Sequence, residues 1–237
     1  MNPTIMQLTA RALLGRRRVL LLLPMPVVLI GLTLLGRAAP VPASDWGPTV
    51  FGDLGLGVIL PLTALIIGSS VLGLEIEDGT ITHLLTKPLP RSEIILSKLT
   101  VAWAVTTVAT AVPLAAAGLI AGSPGLALGL VVGDTIGALA YSASFLALSL
   151  VTRRPVAAGL VYIVLWENLL GGFVSGTRIF SIHHQTASLT GAIADSELIT
   201  ATLAAPLALV LAGVFTVAGT VLATTRLRSF ALTGDTG

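Results

Sequence analysis

Apolar positions run along this chain in six blocks, at about 19–36, 51–74, 99–121, 126–151, 155–174 and 203–224, each bounded by charged or turn-forming residues. A stretch such as Val19 to Leu23 is apolar on every side. Membrane strands are shorter and alternate in polarity, so the blocks predict helices. Each block is close to the roughly 20 residues that cross a bilayer. The expected fold is an all-α membrane protein, one domain over residues 1–237 with six transmembrane helices.

Composition sharpens this. The strongly apolar set makes up 54% of the chain, charged residues 10%, and the mean hydropathy is +0.98. An average soluble domain is about 25% charged, so too few charges exist here to cover a globular surface. That excludes a soluble enzyme and a nucleic-acid binder, and no nucleic-acid partner is expected. The absence of cysteine removes disulfides, thiol catalysis and thiolate metal sites.

The formal charge of +2 hides a strong asymmetry in where the 13 basic residues sit. One set of connecting segments holds Arg11, Arg16, Arg17, Arg18, Lys87, Arg91, Lys98, Arg153, Arg154, Arg226 and Arg228, and the other holds only Arg37 and Arg178. Basic residues stay on the cytoplasmic side, so both termini and the segments 75–98 and 152–154 are expected inside. Arg16 to Arg18, the first apolar block and Val41-Pro42-Ala43-Ser44 imitate a secretory signal, but the block is too long and Arg37 stands before the cut. Residues 4–18 place Ile5, Leu8 and Ala12 on one stripe ahead of three arginines. They fit an amphipathic interfacial helix on anionic lipid, with an unstructured basic tail as the other reading.

Between the second and third blocks lies the one long polar segment assigned to the inside, residues 75–98. Gly79 permits a sharp turn, Thr80 can cap a helix, and Pro88 stops the short helix that Ile81 to Thr86 would form. Ser92 can cap the next helix, with Glu93 favourable in its first turn. Leu84 and Leu85 would then be exposed between acids and bases, an arrangement suited to a partner's groove. A solvated connector is the plainer alternative.

At these residues the sequence resembles the type-2 ATP-binding-cassette (ABC) exporter permeases. Glu75, Glu77, Gly79, Thr80, Leu84, Leu85, Thr86, Pro88, Arg91 and Lys98 fall on that family's pattern, and Ser97 departs from its common glycine. The likeness extends to the amphipathic start, six spans, the basic turn Thr152 to Pro155 and the long outer segment 175–202. It implies that the loop is a coupling helix inserting into a separate ATPase, with His83 as a further contact residue. It also implies two ABC ATPase subunits, which hold the ATP and Mg, and a second copy of this chain or a paralogous permease. The expected place is a bacterial cell membrane, in contact with lipid. This chain has no Gly-x-x-x-x-Gly-Lys-Ser/Thr loop, so no cofactor and no enzymatic activity of its own are expected.

Acids inside apolar blocks are costly unless paired, protonated or hydrated. Asp53 falls at the outer end of its block, whereas Asp134 and Glu167 fall deep in theirs. Counting about 1.5 Å per residue puts these two in nearly the same layer. They would either face a hydrated cavity and favour a cationic cargo group, or be hydrogen-bonded between helices. Tyr162, Trp166 and Asn168 around Glu167 tilt it toward a cargo path, whose lining by the second and fifth spans the resemblance implies. Trp46 and Trp103 suit the interfacial belts. Gly125, Gly129, Gly133 and Gly137 form a bare ridge for close helix packing. His183-His184 lack clustered partner ligands, so no metal is assigned.

The function expected is therefore export of a small or amphiphilic cargo such as a drug, antibiotic, peptide, lipid or cation. The alternatives are a stand-alone ion-coupled transporter using the two acids, and an intramembrane enzyme, for which no motif is present.

Overall fold

A computed structural model describes residues 3–14, 23–77, 90–170, 175–194 and 196–233. Among them every regular element is helical. The order is α1 (Pro3–Leu14), α2 (Pro24–Ala38), α3 (Ala43–Gly47) running through wide π turns (Pro48–Ile59) into α4 (Leu60–Glu77), α5 (Arg91–Ile120) and α6 (Pro124–Val151). Next come α7 (Pro155–Val161) continued by π turns (Tyr162–Leu170), a 3-10 segment (Ser175–Phe180), α8 (Ile182–Ala194) and α9 (Ala205–Thr233).

Four helical stretches are long and apolar enough to cross a membrane: Ala43–Leu72, Arg91–Ile120, Pro124–Val151 and Ala205–Ser229. Two more apolar helices, Pro24–Ala38 and Pro155–Glu167, are shorter. They coincide with the first and fifth expected spans, parts of which (residues 19–22 and 171–174) fall outside the described residues.

The central helix is α6, which touches α4, α5, α7, α8 and α9. Ser123 caps it, accepting from the Leu126 N–H at 3.2 Å, and Pro124 follows at the first helical position, where its missing donor does no harm. The turn from α5 is a Schellman motif: Gly122 N–H donates to Leu119 at 2.9 Å and Ser123 N–H to Gly118 at 3.2 Å. Gly122 has φ +83°, which requires glycine there. Tyr141, Phe145, Phe51, Leu60 and Leu65 fill one core, and a second lies where Val71, Leu72, Ile94, Ile95, Leu146 and Leu227 meet. α1 lies against that second core through Leu13, Met6 and Ala10, leaving Leu8 of the expected apolar stripe 61% exposed.

Two expectations change. α5 begins eight residues before the apolar block it carries, because Ile94, Ile95, Ser97 and Lys98 bury a face of its first turns. Trp103 consequently lies well inside α5, half-buried, and donates its indole N–H to the Thr135 carbonyl at 2.9 Å. The segment 175–202, expected outside, contains α8, 13 residues long and buried at every residue from Gln185 to Thr190, on all sides of its middle turns. α8 lies antiparallel on the glycine ridge of α6. Ala194 backs onto Gly125 and Gly129, Thr190 onto Gly129 and Gly133, and Thr186 onto Gly133 and Gly137. Thr186 is therefore about 20 Å down α6 from Pro124, and the N-terminal end of α8, one turn further, is about 25 Å down, past the middle of α6.

A Cβ at Gly133 would stand 2.9 Å from the Thr186 carbonyl oxygen and against the Thr190 hydroxyl, whereas one at Gly213 on α9 meets nothing within 4 Å. Gly133→Val is expected to destabilise by about 3 kcal/mol through overpacking. Gly213→Ala should gain up to about 1 kcal/mol of helix propensity. Thermal unfolding of the purified protein in detergent checks both.

Candidate functional site

The first site is the pair of helix ends that flank residues 78–89. Of the expected coupling residues, Gly79, Thr80, His83, Leu84, Leu85, Thr86 and Pro88 lie outside the described residues, and Glu75 and Glu77 are described only as the last turn of the α4 backbone. Arg91 opens α5 and is half-buried. Lys98 is fully buried, its Nζ donating to the Val71 carbonyl at 3.0 Å. A buried ammonium must be hydrogen-bonded. This one ties the second turn of α5 to the last turns of α4, where Val71 and Leu72 already meet Ile94 and Ile95. Both stems of the segment thus belong to one packed unit.

The second site is the buried end of α8. A helix begins with four N–H groups that lack intrahelical partners, and no water is available inside a bundle to take them. Here all four are met. Glu167 accepts from Ile182 N–H at 3.1 Å and from His183 N–H at 3.3 Å. Ser181, the capping residue, accepts from His184 N–H on its side chain at 3.2 Å, and its own N–H donates to the Arg178 carbonyl at 3.2 Å, while its carbonyl takes the first intrahelical bond from Gln185 N–H. The Ser181 hydroxyl itself donates to Glu167 Oε2, and the Tyr162 hydroxyl donates to Oε1 at 2.8 Å. Glu167 is 3% exposed. One carboxyl group therefore joins the π turns after α7 to the start of α8, with both oxygens as acceptors. Trp166 reinforces the junction by donating to the Phe180 carbonyl at 3.3 Å. The side chain of Asn168 is outside the described residues.

Asp134 is the third site, fully buried between α5 and α6. Its Oδ2 accepts from the Thr110 hydroxyl at 2.8 Å, and Thr110 also lies 2.9 Å from the Thr106 carbonyl. Asp134 Oδ1 and the Thr106 hydroxyl have no partner among the described residues. Asp134 and Glu167 do not touch the same groups: one belongs to the α5–α6 seam and the other to the α7–α8 junction. The bare ridge of α6 explains the separation, since α8 occupies the face beside Asp134.

Sequence reading missed Ser181, His183 and Gln185 as residues of a buried helix start. The available signal was small residues at four-residue spacing, Thr186, Thr190 and Ala194, complementary to the glycines of α6. The rings of His183 and His184 are 5.1 Å apart. Among the described residues no three of His, Cys, Asp and Glu gather into a metal-binding group.

Residues 16–175, about two thirds of the chain, match the sequence model of the ABC-2 family transporter protein. The chain belongs to the ABC-2 transporter family. No curated protein matches it. Membership and the long apolar helices together make it a multi-pass membrane protein of the ABC transporter permease type.

In this ABC-2 protein, replacing Glu167 removes acceptors for two backbone N–H groups and two hydroxyls, each buried donor left unmet costing about 1–3 kcal/mol. Glu167→Ala is expected to lower the yield of folded protein sharply. Glu167→Gln keeps one acceptor oxygen but turns an amide toward donors, so it should fall between Ala and wild type. Asp134→Asn retains the acceptor that Thr110 uses and should leave yield and unfolding temperature unchanged. Fluorescence-detected size-exclusion chromatography across a temperature series ranks the three.

Proposed function

We propose that this chain is the permease subunit of an ATP-driven exporter, working with ABC ATPase subunits that bind the nucleotide and Mg. Permeases of this family generally work with such partners. In this reading six crossings place both termini and residues 75–98 in the cytoplasm, the two shorter apolar helices being the described parts of the first and fifth. Two such permeases, identical or paralogous, assemble with two ATPases, and the cargo is a small or amphiphilic compound.

The observation that carries the reading is the construction around residues 78–89 within a family-matched region. α4 and α5 are packed to each other at the ends that bound the segment, and the buried Lys98 ammonium bonds across them. A push received by the segment therefore reaches two long apolar helices as one body. Closely packed interiors transmit such displacement because they have little compressibility. Glu75, Glu77, Arg91 and Lys98 act in the stems, while Gly79, Thr80, His83, Leu84, Leu85 and Pro88 form the docking helix. On the same reading Tyr162, Trp166, Glu167 and Asn168 border the cargo path as its structural wall, and Asp134 is a deep acid on it with one oxygen unmet among the described residues.

Leu84→Asp with Leu85→Asp tests the docking. Apolar anchors in the centre of an interface carry most of its binding free energy, so the double variant should lose the ATPase in a pull-down, by tenfold or more on the order of a hot-spot loss. The permease should still reach the membrane. Undiminished co-purification would overturn the assignment.

A further inference from the structure

A groove of about 400 Å³ opens on the outside of the bundle between α5, α6 and α9. Leu96 and Trp103 of α5, Leu139 of α6 and Val217 and Val221 of α9 line it. Three threonines share the lining, but none offers a donor to it. Thr100 donates to the Leu96 carbonyl at 2.8 Å, Thr216 to Ala212 at 2.8 Å and Thr220 to Thr216 at 2.7 Å. The Trp103 N–H is likewise turned inward, to Thr135. Each donor being satisfied by backbone, the groove walls are suited to hydrocarbon and not to a polar solute.

A charge lies beyond the end of the groove at Val221. Along α9, helical periodicity continues the face of Val217 and Val221 to Arg228, which is exposed and lies about 10 Å beyond Val221. Arg226 is exposed in the same turn, and α9 contains no acid. Glu93, one turn before Leu96 on α5, is engaged by contacts of its own within the protein. On α5 the groove extends from Leu96 to Trp103, about 10 Å, within the roughly 15 Å that one leaflet of hydrocarbon occupies.

We propose that this groove holds an acyl chain of an anionic phospholipid of the cytoplasmic leaflet, with the lipid phosphate on Arg228. It rests on the placement of the α9 C-terminal end on the cytoplasmic side given under the proposed function. A guanidinium near the phosphate plane selects the anionic headgroup, and the apolar walls select the chain. The bound lipid then fills the seam where α9 meets α5, so that relative movement of these two helices is lubricated by a particular lipid and not by any lipid.

Trp103 reports directly on the groove. In a protein that keeps Trp103 alone (Trp46→Phe, Trp166→Phe), reconstituted in phosphatidylcholine vesicles, acyl-brominated phosphatidylglycerol should quench the fluorescence. Its quenching slope should be about fivefold steeper than that of acyl-brominated phosphatidylcholine, the selectivity of one basic residue at an anionic surface. Arg228→Gln, at an exposed position that folding does not depend on, should bring the phosphatidylglycerol slope down to the phosphatidylcholine one. Val217→Phe, which fills the groove, should lower both. Equal slopes in the unsubstituted background would mean unselective boundary lipid and overturn the proposal. So would the absence of quenching by either lipid, which would mean that protein, such as a second copy of the chain, covers the groove. Anionic selectivity that survives Arg228→Gln would overturn the headgroup assignment. The quenching does not depend on an ATPase, so a failed pull-down of that partner and a failed lipid test remain separate results.

Discussion

A helix that starts inside an apolar bundle has to be supplied with hydrogen-bond acceptors by the protein, because neither water nor hydrocarbon can provide them. The carboxyl group of Glu167 and the cap at Ser181 meet that requirement for α8. Much of the packing around α8 follows from it. With its first four N–H groups satisfied, α8 can lie at depth against α6, and it does so only because Gly125, Gly129, Gly133 and Gly137 leave room for Thr186, Thr190 and Ala194. A ridge without side chains and a carboxyl group at the far end are two halves of one solution.

The end of the bundle that carries the stems of residues 78–89 uses a different device for the same purpose. There the buried group is a cation, Lys98, and its acceptor is a carbonyl near the end of α4. Between the two ends runs α6, in contact with most of the other helices, so that the α8 junction and the α4–α5 stems share a single rigid neighbour. α9 is held to it where Gly219 meets the backbone of Ala143 and Ser144, and the lateral groove is the space left beside that close approach. The arrangement of packed stems and a buried half-length helix gives the stems a continuous path of contact to the α8 junction.

The sequence made some of this legible and not the rest, for physical reasons. Apolar blocks mark long helices well, because a span that faces both lipid and protein has no polar side, and α5, α6 and α9 carry their blocks as expected. The glycine ridge was legible as a packing surface since four bare positions at one spacing have few other uses. Its partner was not, because α8 has 13 residues and holds His183, His184 and Gln185, which read as an aqueous loop. Glu167 was legible as an anomaly but not in its geometry: its acceptors serve groups 14 to 16 residues further on, a separation that local periodicity does not encode. The start of α5 was not legible because it is set by burial of Ile94, Ile95 and Lys98 against α4, a tertiary effect. Residues 78–89, on which the likeness to exporter permeases chiefly rests, belong to the part of the chain outside the described residues, so their chemistry stands on sequence alone.

The central claim is that residues 182–194 form a helix buried alongside α6 rather than a loop in water. Hydrogen–deuterium exchange of the whole protein in lipid nanodiscs tests it directly. The account expects the amides of Thr186 to Ala194 to be protected on the same timescale as those of α6, and expects Glu167→Ala to release Ile182 to Gln185 first. Exchange across Thr186 to Ala194 at the rate of an open loop would contradict it.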